Sequence, residues 1–198
     1  MTVLKLILAA SAAYISGSVS VAVLISMWLY HRDVRKEGSG NAGATNVART
    51  FGIKIGLLTL AGDFLKTALA AWFGNLLAGD IGLVVACASC MIGHILPLFF
   101  DFKGGKGVAT AGMIALILDW RLFMILVAVF GIVFLLSRRV SVCSLCCAVS
   151  FPIALAILGT TAPRLVLGIF IAVIVIWRHH GNIKRLQNGT EPEFKAKF

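Results

Sequence analysis

The sequence predicts an all-α membrane protein of seven transmembrane helices, N-terminus outside and C-terminus cytoplasmic, forming a single domain over residues 1–198. Three observations lead there. Of the 198 residues, 60% are hydrophobic and only 13% are charged, against roughly 45–50% apolar residues in soluble domains. Stretches such as 123–136 and 165–177 carry no charge at all, so each requires an apolar environment on every side. The Lys and Arg residues gather in short connections between such stretches, where the positive-inside rule expects them.

The first span is expected over 4–30. Ala10-Ser11-Ala12 resembles a signal-peptide cleavage site, but Lys5 is the lone positive charge before the apolar run, which continues to Tyr30, so the segment reads as a retained span. Spans follow over 54–77 and 82–100. Within them Asp63 and Lys66 stand at i and i+3, an intramembrane pair whose cost makes a function the default reading, with mutual neutralisation as the alternative. His94 and Pro97 close the third span; the proline predicts a kink, and the histidine reads as either a ligand or a packing residue.

Spans four to seven are expected over 107–118, 122–136, 142–158 and 163–177. The fourth is short, about 18 Å at roughly 1.5 Å per residue. Fusing it with the fifth would put Asp119 and Arg121 at mid-membrane, which costs about 2.5–3.5 kcal/mol for the arginine. Charge decides the matter. With seven spans, fourteen basic residues fall on one side and only Lys5, Arg121 and Arg164 on the other, with Lys66 inside a span. With the fourth and fifth spans fused the bias vanishes.

Two connections on the basic side have the composition of anion sites. Gly38–Thr50 combines Ser39, Asn41, Thr45, Asn46 and Arg49 with three glycines, a density of donors beyond what a linker needs. Asp101–Thr110 contains Lys103-Gly104-Gly105-Lys106-Gly107 and runs directly into a helix, so its amides and the helix dipole suit a phosphate. It is not a Walker A loop, because Gly107 and not Ser or Thr follows Lys106. Two further segments share that side. Ser141 and Ser144 open the sixth span as either caps or ligand contacts. After Arg178, His179 and Asn182 stand at i and i+3, facing one ligand if the helix continues, with His180 competing for the role. Lys184 and Arg185 read as interfacial anchors.

Other classes are excluded or weakened. The net charge of +10 is accounted for by topology, leaving no case for nucleic acid. The five cysteines lie in apolar stretches without metal-ligand spacing, and scattered histidines and few carboxylates give no metal site and no cofactor. No internal repeat supports a transporter. No obligate protein partner is implied; membrane lipid is the surrounding medium.

Taken together, GSGNAGATNVAR, GHILPLFFDFKGGKGVAT and RHHGNIKRLQNGTE closely resemble the motifs of the bacterial acyl-phosphate:glycerol-3-phosphate acyltransferase family, the PlsY type. Three separated motifs in matching order are specific where one alone is not. The resemblance covers Gly38 to Glu191. It implies seven transmembrane helices in the cell inner membrane and an active site at the cytoplasmic face. It also implies acyl phosphate and glycerol 3-phosphate as substrates and lysophosphatidic acid as product, the first step of phospholipid biosynthesis. Residue by residue, it implies substrate contacts at Ser39, Asn41, Thr45, Asn46 and Arg49, at Gly104, Gly105, Lys106 and Gly107, at Ser144, and at His179 and Asn182. Val142 and Cys143 stand where another small residue or serine is expected, which leaves Ser141 and Ser144 unseparated.

Acyl transfer to an alcohol requires a bound acceptor, an oxyanion stabiliser and a leaving group. No histidine has an aspartate five positions on, and no nucleophile elbow is present, so direct transfer is expected. Arg49, Lys106 and His179 are the expected phosphate ligands, with a substrate phosphate oxygen taking the hydroxyl proton. The competing expectations are an acyl-CoA or acyl carrier protein donor, and an organic-phosphate transporter.

Overall fold

A computed structural model describes residues 2–194; Lys195 and Lys197, both counted above on the basic side, lie outside them. Helices account for most of the described chain, and no strand occurs among these residues. Two compact units are distinguished, 2–114 and 115–194, with the division inside a short helix.

In the first unit, α1 (Thr2–Ser18) and α2 (Val21–Tyr30) together make one apolar segment. The continuous helix expected over 4–30 is interrupted at Val19 and Ser20. The reason lies in an adjacent helix: the Lys66 ammonium donates to the carbonyls of Val19 at 2.9 Å and Gly17 at 3.3 Å. A continuous helix would keep those carbonyls for itself, whereas the break releases them to a buried charge.

The chain then passes through a 3₁₀ turn at Val34–Lys36 into α3 (Ala44–Phe51). Part of what reads as a polar loop is therefore a helix, which buries Asn46, Val47 and Ala48 and holds Thr45 and Arg49, one turn apart, half-buried.

α4 (Ile53–Ile95) is 43 residues long but has non-helical torsions at Ala78 and Gly79, the latter with φ +59°. Its arms, 53–77 and 80–95, match the expected second and third spans. The third ends sooner than expected. Pro97 does not kink it; α4 stops at Ile95, and Pro97 begins a turn whose carbonyl accepts from the amides of Phe100 and Phe102.

Glycine makes close packing possible. A Cβ on Gly17 would stand 2.2 Å from the Cys90 carbonyl oxygen, and one on Gly93 2.3 Å from that of Tyr14. Here α1 and the second arm of α4 meet backbone to backbone, as small residues allow within lipid.

α5 (Val108–Leu118) leads into the second unit, where α6 (Trp120–Ser137), α7 (Val140–Ile157), α8 (Ala162–Arg178) and α9 (His180–Gln187) follow. Asp119 separates α5 from α6 and caps the latter by accepting from the Arg121 amide at 2.8 Å. Arg121 is thus at a helix end and not at mid-helix.

Four of the described helical segments are long and apolar enough to cross a membrane, and a fifth if α8 and α9, bent by 56°, count as one. Large apolar side chains face outward, including Trp28, Leu135, Leu136 and Ile157, while Asp63, Lys66 and His94 are buried. Apolar outside and polar within is the inverse of a water-soluble protein.

Candidate functional site

Each unit contains its own group of the expected residues. In the first, the loop ahead of α3 is built around Asn46. Its amide donates to the carbonyls of Val34 at 3.0 Å and Glu37 at 2.9 Å, and its Oδ1 accepts the Ser39 amide at 2.9 Å. Asn46 is 1% exposed. Its donors are spent on the loop itself, so the residue expected to contact substrate braces the segment that holds Ser39. Gly38 is required there: its φ is +53°, and a Cβ would lie 2.4 Å from Asn46 Oδ1. Ser39 is exposed, and Asn41, Thr45 and Arg49 are half-buried. Gly43 starts α3 without a side chain to cap it.

Arg35, not singled out in the sequence, joins this loop to the next. It grips Asp33 through Nε and Nη2 at 2.8–3.1 Å and donates from Nη1 to the Phe100 carbonyl at 2.7 Å. The guanidinium beside it holds the Asp33 carboxyl below its ordinary range. A basic residue with an acidic neighbour two positions away, among so few carboxylates, was the available signal.

The glycine loop is seated on the end of α4. The Gly104 amide donates to the Ile95 carbonyl at 3.2 Å and the Gly105 amide to that of His94 at 3.1 Å. These amides are therefore not the phosphate donors that the Gly-Gly pair suggests. The pair serves close approach: a Cβ on Gly104 would stand 2.1 Å from the His94 carbonyl oxygen, and one on Gly105 2.2 Å from His94 Nε2. Gly107, with φ +81°, turns the chain into α5 after the half-buried Lys106.

Beneath the loop lies a charged cluster. Lys66 Nζ is 2.8 Å from Asp63 Oδ1 and 3.0 Å from His94 Nδ1. The intramembrane pair and the lone histidine, separate questions in the sequence, form one constellation.

In the second unit Glu191, overlooked in the sequence, is the hub. One carboxylate oxygen accepts from Ser141 Oγ at 2.6 Å and Asn182 Nδ2 at 2.7 Å; the other accepts from Arg185 Nε at 2.7 Å. Burial alone pushes this carboxyl up, but the bonds from Ser141, Asn182 and Arg185 leave it below its ordinary range. Gly189, with φ +69°, turns the chain back after α9, and the Glu191 carbonyl accepts from Arg139 Nε. Arg185 is therefore an ion-pair partner and not simply an interfacial anchor.

The network distinguishes the serines: Ser141 is committed to Glu191, while Ser144, buried one turn along, donates to the Val140 carbonyl and keeps its lone pairs. It separates the histidines too. His180 is exposed, whereas His179 is 2% exposed and donates from Nδ1 to the Val175 carbonyl at 2.7 Å. A neutral His179 so arranged presents Nε2 as an acceptor, and a protonated one presents it as a donor. The bend between α8 and α9 falls at His179, so His179 and Asn182 are not on one straight helix, yet both are buried.

Comparison with known proteins places this arrangement. Residues 7–189 match the model of a family described as glycerol-3-phosphate acyltransferase. The chain is 42% identical to the glycerol-3-phosphate acyltransferase of Carboxydothermus hydrogenoformans, covering 94% of this chain and 95% of that one. It is 38% identical to that of Bacillus subtilis, over 92% and 94%. Two crystal structures of PlsY, an integral membrane glycerol 3-phosphate acyltransferase, share its fold. The glycerol 3-phosphate form matches with a TM-score of 0.91 and 35% identity over 96% of each chain. The lysophosphatidic acid form matches at 0.86 and 33%, over 96% of this chain and 95% of that one.

Proposed function

We propose that this chain, which belongs to the glycerol-3-phosphate acyltransferase family, takes its acyl group from an acyl phosphate and places it on the 1-hydroxyl of glycerol 3-phosphate. Lysophosphatidic acid and phosphate leave, as the first step of phospholipid biosynthesis. That the chain is an integral membrane acyltransferase follows from its family; the donor and the position acylated are our reading. The observation that supports glycerol 3-phosphate as acceptor and lysophosphatidic acid as product is the pair of ligand forms of the solved relative; the acyl-phosphate donor rests on the resemblance of the three motifs.

Arg49, Lys106 and His179 bind the substrates' phosphates, aided by Ser39, Asn41, Thr45, Ser144 and Asn182. Gly104, Gly105 and Gly107 shape the turn that presents Lys106, and Asn46 acts through the loop it braces. The acceptor hydroxyl attacks the acyl carbonyl, and a substrate phosphate oxygen takes its proton. Inorganic phosphate departs as an anion, so no strong protein acid is needed. The protein contributes orientation and charge stabilisation. Neither a cofactor nor an obligate protein partner enters, and activity survives chelation by EDTA.

Seven segments cross the inner membrane: 2–30, 53–77, 80–95, 108–118, 120–137, 140–157 and 162–178. The N-terminus is outside, the C-terminus is cytoplasmic, and the active site faces the cytoplasm. The bias of basic residues toward the connections at 31–52, 96–107, 138–139 and after 178 supports this orientation.

The test uses purified protein in liposomes with radiolabelled glycerol 3-phosphate and, in parallel, palmitoyl phosphate, palmitoyl-CoA and palmitoyl acyl carrier protein. Labelled lysophosphatidic acid is expected with palmitoyl phosphate alone. Product from either thioester but not from palmitoyl phosphate would overturn the donor assignment.

A further inference from the structure

The charged cluster under the glycine loop has no part in the chemistry described so far, and its hydrogen-bond inventory has a consequence. Lys66 is an ammonium with three hydrogens and no lone pair. Its nearest partners are Asp63 Oδ1 at 2.8 Å, the Val19 carbonyl at 2.9 Å and His94 Nδ1 at 3.0 Å. The first two can only accept, so the contact with His94 requires its Nδ1 to accept as well. A neutral His94 then carries its proton on Nε2. Asp63 offsets the charge of Lys66 and lies farther from the imidazole, 3.6 Å from Nδ1, too long for a hydrogen bond.

Nε2 lies against the turn that begins the glycine loop. A Cβ on Gly105 would meet it at 2.2 Å and would meet the Ala42 carbonyl oxygen at 3.0 Å, so the nitrogen sits where the Gly38–Thr50 segment and the glycine loop come together. The residue is only 7% exposed, and the two polar contacts of its ring, to Lys66 and Asp63, both engage Nδ1. An anion on the adjoining loop would give this Nε2–H a charged acceptor, the stronger class of hydrogen bond.

We propose that His94 is a further binding residue, its Nε2–H donating to a phosphate oxygen of a substrate on the glycine loop, with Lys66 and Asp63 as the positioning pair that fixes its tautomer. The inference rests on the reading that this loop handles substrate phosphate.

His94 variants test it through steady-state kinetics in glycerol 3-phosphate and in palmitoyl phosphate. Gln places an amide N–H near the Nε2 position, and Asn places one near Nδ1. His94→Ala and His94→Asn are expected to raise one substrate's KM about ten- to hundred-fold, the worth of a hydrogen bond to a charged group, with kcat changed less than about threefold. His94→Gln should recover most of that affinity. The substrate whose KM moves identifies which phosphate is bound. Unchanged KM for both substrates in His94→Ala, or equal damage from Gln and Asn, overturns the proposal.

The second measurement needs no His94 variant. Nitrogen-15 spectra of histidine-labelled protein, assigned by removing His31, His179 and His180 in turn, should show His94 as the Nε2–H tautomer, with a shift in the wild-type protein on saturation with glycerol 3-phosphate or inorganic phosphate. An Nδ1–H tautomer, or no response to either anion, contradicts it. If the wild-type protein fails to use palmitoyl phosphate, the donor assignment fails while the spectra still decide on His94.

Discussion

At Glu191 a single side chain satisfies Ser141, Asn182 and Arg185, so its removal leaves two buried donors and a guanidinium without their acceptor. Glu191→Ala should cost about 2–4 kcal/mol of stability, read as a lowered unfolding midpoint in detergent, with activity falling in proportion to folded protein. Its pH dependence has a definite sign. Because the folded-state pKa lies below the ordinary 4.5, the carboxylate's contribution is complete at neutral pH and is lost as pH falls below that value through the folded-state pKa. Glu191→Gln should therefore be less stable than wild type at pH 7, with the gap closing in acid; a gap that widens on acidification would contradict the network. Thr110 gives the opposite case. Its buried hydroxyl has no hydrogen-bond partner among the described residues, so Thr110→Val should leave thermal stability unchanged or raised. Little of this was legible beforehand. Glu191 is one acidic residue in a polar tail, and its partners lie up to fifty positions away; Asn46 reads as a ligand because composition does not reveal which carbonyls an amide faces.

Among the elements, most apolar helices follow from the sequence because lipid demands charge-free runs, and the end of each run is marked by a charge, glycine or proline. What the sequence could not display was the break between α1 and α2, since its cause, Lys66, lies 47 positions beyond Val19. Nor could it display α3, whose eight residues are too few for a periodic signal. The glycine loop was located correctly but given the wrong physics: the amides of Gly104 and Gly105 are occupied, and the two residues are small because α4 ends against them. Gly104→Ala and Gly105→Ala should each lower kcat/KM about tenfold or more, since the loop must shift to admit a methyl group and geometry that supports transfer is easily lost. Gly131→Ala is the control: a Cβ there meets nothing within 4 Å, so activity should hold and helix stability should rise by up to about 1 kcal/mol. Equal effects at all three positions would remove the argument from close approach.

For the whole molecule, the charge bias predicts which ends of the helices face the cytoplasm. In a background without Cys87, Cys90, Cys143, Cys146 and Cys147, single cysteines beside Lys103 and Arg138 should react with an impermeant maleimide only from the cytoplasmic side. One beside Arg164 should react only from outside. Labelling of all three from one side would break the seven-span topology. The family as a whole was legible because three motifs, each weak alone, occur in order; what no single motif could reveal is which of their polar residues hold the fold and which remain available to substrate.

The central claim is that Arg49 on α3 and Lys106 on the glycine loop bind the substrate's phosphate, and the most direct test is the KM for glycerol 3-phosphate in Arg49→Lys protein of normal yield. Lysine keeps the charge but loses the planar fork. The account predicts a KM raised about tenfold or more for Arg49→Lys, and turnover reduced at least about 100-fold in Arg49→Ala and Lys106→Ala, while Arg138→Ala, exposed at the end of α6, stays within a few-fold of wild type. An Arg49→Lys enzyme with full turnover and an unchanged KM for glycerol 3-phosphate would contradict it.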